Sequence, residues 1–184
     1  VAINDTLSLD SGTDYTVVAI GNVINQPLEL FPLVDTAPVR GGDVAQLRIV
    51  HAAPFASDLA ATEVDIRTDG GDVVGGLTNV PYKGNSGFLA LPAGTYDLQV
   101  TTPGGALTLI DLAPVTLNAG DQVTVFAVGD VVNQPLGAIA VFGDGTSASL
   151  PIEAGGAAPI PTLGQWGLIL LVLGLAIVGI RRLV

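Results

Sequence analysis

Two stretches of this chain are near copies of each other. The first, LSLDSGTDYTVVAIGNVINQPL, runs from Leu7 to Leu28, and the second, VTLNAGDQVTVFAVGDVVNQPL, from Val115 to Leu136. The offset is constant at 108 residues: Leu9 matches Leu117, Gly12 matches Gly120, Gly21 matches Gly129, and Asn25-Gln26-Pro27-Leu28 matches Asn133-Gln134-Pro135-Leu136. About half of the aligned positions are identical. Chance similarity between two strand–turn segments would not hold NQPL at one offset, so this is an internal repeat. The second copy closes a unit running from about Val44 to Gly145, whereas the first stands at the start of the chain. Residues 1–36 therefore read as the terminal strands of a preceding, mostly missing repeat domain, and 37–146 as a complete β-sandwich domain. Two strands alone are marginal in water. They need an upstream segment, the second domain or another chain to pair with, and an upstream segment is the first expectation.

Within the complete unit the apolar pattern is that of strands. In Gln46 to Ala52, Leu47, Ile49 and His51 fall on one face, with Arg48 and Val50 on the other. Glu63 to Thr68 alternates, which predicts Val64 and Ile66 inward and Glu63, Asp65 and Arg67 outward. Further strands are predicted over 73–80, 87–91, 95–101, 107–112, 122–128 and 136–142. Their separators, such as Asp69-Gly70-Gly71-Asp72 and Asn118-Ala119-Gly120-Asp121, have turn chemistry. No stretch before the tail sustains a 3.6-residue apolar period. The expectation is an all-β, antiparallel, immunoglobulin-like sandwich. The 24 glycines, 12 prolines and 12% charged residues in 184 suit short strands joined by tight turns.

The tail differs from everything before it. Leu163 to Ile180 contains no charge, Trp166 precedes the apolar run, and Arg181-Arg182 follows it. Eighteen or so residues at about 1.5 Å each span roughly 27 Å, close to the hydrocarbon thickness of a bilayer. Tryptophan favours the headgroup region and paired arginines the cytoplasmic side. The expectation is one transmembrane helix over 162–184 in the inner membrane, with the bulk of the chain in the periplasm or outside. Ser147 to Pro161, rich in alanine, glycine and proline, reads as a linker. Export calls for a signal peptide, so it was cleaved or Val1 lies inside a longer precursor.

All 17 acids precede the tail, with only Arg40, Arg48, Arg67 and Lys83 to balance them, a net charge of −13 ahead of the helix. Such a surface repels nucleic acid. There is no cysteine, so an exported domain of this sequence is held by its core alone.

Two signatures resemble known families. Ile160-Pro161-Thr162-Leu163-Gly164-Gln165-Trp166-Gly167, followed by the apolar run and Arg181-Arg182, resembles the IPTL-type carboxy-terminal sorting signal of Gram-negative bacteria. The resemblance implies export, temporary anchoring and recognition by an exosortase-type processing enzyme. The basic end is short, two arginines followed by Leu183-Val184. Leu47-Arg48-Ile49-Val50-His51-Ala52-Ala53-Pro54, Val64-Asp65-Ile66 and Leu91-Pro92-Ala93-Gly94-Thr95-Tyr96 resemble the domain of unknown function 4397 family. That family implies an exported, surface-associated protein, often in tandem, with no established activity.

Catalytic and metal-binding candidates are few. His51 is the single histidine, and a lone histidine beside a strand end is expected to be structural, hydrogen-bonded to a loop. Zinc sites and acid–base catalysis need convergent partners that the sequence hardly offers. Without cysteine or a G-x-S-x-G arrangement, no nucleophile stands out. Glu63 and Asp65 share a strand face expected to meet water. Asp69 with Asp72, Asp10 with Asp14, and Asp144 lie in glycine-rich turns where calcium could bind, but none has D-x-D-x-D-G spacing. Tyr96 is placed to be a corner tyrosine, its hydroxyl tying a crossover. No catalytic, cofactor or metal residues are assigned. The sites named are the sorting signal (Ile160, Pro161, Thr162, Leu163, Trp166, Gly167) and the orienting Arg181 and Arg182.

The expected function is non-enzymatic: an exported, membrane-anchored sandwich with a structural or interaction role in the cell envelope or extracellular matrix. Its partners would be the lipid bilayer and an exosortase-type enzyme, with no nucleic acid and no cofactor. One alternative is an accessory subunit of a membrane complex, its helix packed on other subunits. Another is a carbohydrate- or calcium-dependent adhesin.

Overall fold

The computed structural model describes residues 3–35 and 42–153. The expected membrane helix, its arginines and the sorting signal lie outside the described residues. Among the described residues, no helix is long and apolar enough to cross a membrane.

The described residues form twelve short strands: β1 Tyr15–Ile20, β2 Glu29–Val34, β3 Val44–His51, β4 Asp65–Thr68, β5 Leu89–Pro92, β6 Gly94–Tyr96, β7 Leu98–Thr101, β8 Thr108–Asp111, β9 Val115–Leu117, β10 Gln122–Val128, β11 Gly137–Phe142 and β12 Ser147–Ser149. A five-stranded sheet has the order β12-β11-β10-β3-β5. A three-stranded sheet, β4-β7-β8, and a two-stranded one, β6-β9, accompany it. The hairpin β1-β2 forms a sheet of its own.

Alternation does the sorting. Leu47 and Ile49 of β3, with Val123, Val125 and Ala127 of β10, point from the five-stranded sheet into the main core, against Ile66, Leu98, Val100 and Ile110 of the smaller sheet. Val50 and Phe126 point the other way, into a second apolar cluster that Ile20 and Leu33 of the first hairpin complete. The result is three layers, with the five-stranded sheet in the middle. Residues 3–35 thus dock on the complete unit through this second cluster. Arg48 reinforces the contact: its guanidinium donates to the Val34 carbonyl (3.0 Å), pairs with Asp35 (2.7 Å) and lies 4.5 Å over the Phe88 ring.

The all-β class and the sandwich-like layering agree with expectation, but the sheet is mixed. β3 and β10 run parallel, Gln46 opposite Gln122 through His51 opposite Ala127. Sequence-local alternation carries no strand direction, so this was invisible beforehand. Three further differences have physical causes. The stretch 73–80 contributes only isolated bridges at Val73 and Val80, because Gly75 and Gly76 take φ of 55° and 75° and break extension. The stretch 95–101 divides between two sheets at Asp97. Residues 147–153, expected to open the linker, instead begin with β12, which pairs with β11, and Ile152 bridges to Leu112.

The Tyr96 hydroxyl donates to the Pro92 carbonyl at 2.6 Å across the step from β5 to β6, where the chain changes sheets. It is the corner tie anticipated from the sequence.

Candidate functional site

The two repeat copies fold into the two hairpins β1-β2 and β10-β11, in one register. Tyr15 pairs with Val34 and Ile20 with Glu29; at the constant offset, Val123 pairs with Phe142 and Val128 with Gly137. Each connecting loop opens on a glycine at φ 98°, Gly21 or Gly129. A Cβ there would collide with the carbonyl oxygen of Pro27 or Pro135, so both backbone torsion and space demand glycine.

Next in each loop, two successive N–H groups share one carbonyl. Asn22 and Val23 donate to Gln26 O at 3.1 and 2.9 Å, and Asp130 and Val131 donate to Gln134 O at 3.1 and 2.9 Å. A side chain then closes the turn from within. Asn22 Oδ1 accepts the N–H of Asn25 (2.8 Å) and Gln26 (3.1 Å). Asp130 Oδ1 accepts those of Asn133 (2.7 Å), Gln134 (2.9 Å) and Val132 (3.1 Å). Short polar side chains bonding forward to backbone N–H groups are what stabilises such turns.

The two loops meet at the position where their sequences differ in charge. Asn22 Nδ2 donates to Asp130 Oδ2 at 3.0 Å, a contact between residues 108 apart and therefore equivalent in the repeat. Asn133 Nδ2 donates to the same oxygen at 2.8 Å. The backbone N–H of Gln134 leads the set of hydrogen bonds that holds the Asp130 carboxyl far below the usual carboxylate range, against the opposing effect of burial. A second aspartate at position 22 would face this charge; asparagine supplies a donor. The first loop is further tied down by Asn25 Nδ2 to Pro54 O at 2.7 Å.

What the loops display is apolar. Val23 and Val131 both hold positive φ, 68° and 57°, a costly conformation for a β-branched residue. Val23, Ile24, Val131 and Val132 are 73, 59, 60 and 62% exposed. Two adjacent loops, braced from within by Asn22 and Asp130 and tied to the Pro54 carbonyl by Asn25, thus hold four aliphatic side chains in water. Behind them a groove of about 570 Å³ runs between the hairpins, lined by Ile20, Phe126, Val128, Ile139 and Val141, with Asn133 and Gln134 on its rim.

The residues singled out from the sequence do not converge on this place. His51 is buried: its Nε2 lies 2.6 Å from the Thr62 carbonyl and so carries the proton, while Nδ1 accepts the Ala53 N–H at 3.4 Å. Phe55 and Tyr82 flank the ring, and burial lowers its pKa despite the bond to Thr62. Both nitrogens are engaged, as the structural reading required. Burial and the negative charge of Glu29 push the Tyr82 hydroxyl up to about 12.

Asp65 corrects an expectation. It does not meet water; it is 2% exposed, accepting Arg67 Nη2 (2.7 Å), Gly104 N (3.0 Å) and Asn79 N (2.9 Å). Burial acts to raise its pKa, but these hydrogen bonds and the arginine charge outweigh it and leave the carboxyl low. Glu63 lies just before β4 and takes no part. Asp10 with Asp14, Asp69 with Asp72, and Asp144 are exposed in three separate turns, Asp144 accepting the Thr146 N–H and hydroxyl at 2.9 and 2.7 Å. Among the described residues, no group of three or more acidic, histidine or cysteine side chains could hold a metal.

Sequence reasoning missed the paired loops as a surface. The signal was present: within the shared run G-x-V-x-N-Q-P-L, the copies differ by Asn22 against Asp130 and Ile24 against Val132, one polar contact and one exposed aliphatic.

Comparison with known proteins places the chain. No curated protein matches it significantly in sequence. Among solved structures it is similar to the C-terminal domain of AlgF from P. aeruginosa, at 19% identity and a TM-score of 0.38, covering 55% of this chain and 99% of that one. The profile described as domain of unknown function matches residues 1–62 and 58–151, and an IPTL-CTERM motif matches residues 158–183. The chain therefore belongs to the family of the domain of unknown function DUF4397 and carries an IPTL-CTERM motif at its carboxy-terminal end.

Proposed function

We propose that the chain is a non-enzymatic, exported protein, tethered to the inner membrane by a single helix, with its bulk in the periplasm or beyond. Its sandwich is immunoglobulin-like, and its role in the cell envelope or extracellular matrix is to interact or to build. The observation that carries this reading is the IPTL-CTERM motif following directly on a folded β unit. In this reading Ile160 to Gly167 are the address, an exosortase-type enzyme reads it, and Arg181 and Arg182 hold the cytoplasmic side.

The paired loops support an interaction role. Asn22, Asp130 and Asn133 are engaged in bracing the turns, while Val23 and Val131 are held outward on strained backbone. Strain of that kind is retained where a display matters more than local stability. The corner tyrosine supports the immunoglobulin-like assignment.

Fractionation and intact mass of the protein from its source cells test the reading. The expected result is a species in the inner membrane with its tail, or an envelope species shortened at the IPTL motif, and full-length accumulation in the membrane after Pro161→Ala with Trp166→Ala. A full-length chain free in the cytoplasm, or turnover of a substrate lost on His51→Gln, would overturn it.

A further inference from the structure

The two hairpins share sequence and register but not neighbours. β10 has β11 on one edge and β3, parallel, on the other. β1, its counterpart, has β2 on one edge and no strand on the other among the described residues. Antiparallel pairing uses alternate backbone groups, so half of the N–H and C=O groups of β1 face that open edge.

The faces tell the same story. In the second hairpin, Val125, Ala127, Ala138 and Ala140 close the main core, and Phe126 and Val141 face the second cluster. In the first hairpin the equivalents of Phe126 and Val141, namely Val18 and Leu33, also face the second cluster. The hairpins thus meet through equivalent faces. What the first hairpin turns outward is the equivalent of a sandwich core: Val17, 41% exposed where Val125 is 8%, with Ala19, Leu30 and Pro32.

We propose that this edge and face are half of a second sandwich, and that the occupant is a β-sandwich unit of the same family in the same polypeptide. That unit lays a strand of the β3 type parallel to β1, in the register that pairs β3 with β10. The interface is continuous with one already formed: the docked hairpin becomes the shared wall of two sandwiches packed back to back.

Two observations fix the chemistry of the incoming strand. Positions facing the outward side must be aliphatic, as Leu47 and Ile49 are against Val123 and Val125. The position opposite Thr16 corresponds to Arg48, which donates to Thr124 at 3.1 Å. Thr16 is the equivalent of Thr124, and its hydroxyl donates to Asp35 at 2.8 Å, which leaves its oxygen to accept from a base at that position. The unit is one whose β3-type strand lacks a last hairpin of its own, the place that β1-β2 takes; a second copy of this chain does not fit, because its own β3 has β10 and β5 on its two edges.

The test is hydrogen exchange on the polypeptide isolated from its source cells, compared with residues 1–184 alone. Peptides spanning Tyr15–Ile20 are expected to exchange on the order of 100-fold more slowly in the native polypeptide, as amides do when an edge becomes an interior strand. Val17→Lys is expected to abolish that difference while leaving the melting of residues 1–184 unchanged. Equal exchange in both samples overturns the proposal. So does protection in residues 1–184 alone that rises with concentration, which would make the occupant a second copy.

Discussion

The hairpins β1-β2 and β10-β11 are one sequence folded twice in different company. Register, loop hydrogen bonds and glycine torsions agree between them. Burial does not: Val125 is a core residue at 8% exposure, whereas Val17 is 41% exposed. Local structure here comes from the segment itself, through glycine at φ 98° and a side chain that caps its own turn. Burial comes from which strand lies next door. The first hairpin adds a layer on the sandwich; the second is part of it.

The largest effect that separates them should come from the loop glycines. Gly129→Ala places a methyl against the Pro135 carbonyl at a torsion alanine resists, at a cost on the order of 3 kcal/mol. Because β10 is central in the five-stranded sheet, the loss should appear as cooperative melting of the whole unit at lower temperature. Gly21→Ala meets the same collision with Pro27. Its damage should be confined to the first layer: faster exchange of β1 and β2 with the main transition nearly unmoved. Equal falls in global stability would mean that the first hairpin is integral to the sandwich rather than docked upon it.

A milder pair probes the faces. Val125→Ala removes buried methyl groups from the main core and should cost about 2 kcal/mol in denaturant unfolding. Val17→Ala, on the outward face, should stay within about 0.5 kcal/mol in residues 1–184. A cost at Val17 matching that at Val125 would mean its face is already covered in this chain.

Much of this was legible in the sequence, and the boundary of legibility has a physical reason. Alternation at Leu47, Ile49, Val64 and Ile66 announced strands and their inward faces, and Pro92-Ala93-Gly94-Thr95-Tyr96 announced a corner, because these are relations among near neighbours. The parallel union of β3 with β10 joins residues 76 apart, as the bond from Arg48 to Thr124 records, and no local pattern encodes it. Asp65 misled for a related reason. Alternation put it on the polar side, but that side is covered by the 103–105 turn, whose Gly104 N–H it accepts. The paired loops were visible only as text until folding set Asn22 beside Asp130.

That contact supplies the smallest and most specific prediction. Asn22→Asp would set a second carboxylate where a carboxamide now donates to Asp130 at 3.0 Å, so the variant should lose stability at neutral pH. The existing Asp130 is held ionised far into acid, so the introduced group must carry the change. The facing charge, acting against the N–H groups of Asn25 and Gln26 that position 22 accepts, would have to raise its pKa in the folded state above the usual value of about 3.9 in the unfolded chain. A raised carboxyl binds more protons folded than unfolded. The variant's deficit should therefore be full above the raised folded pKa and should shrink as pH falls through it towards about 4. Thermal melts between pH 7 and pH 4 would show the wild type and Asn22→Asp curves converging. The double variant Asn22→Asp with Asp130→Asn restores one carboxylate and one carboxamide, merely exchanged, and should recover most of the loss at neutral pH. A deficit in Asn22→Asp that neither acid nor the exchange relieves would mean that Asn22 matters for its own turn alone, and that the two copies lie side by side without having adjusted to one another.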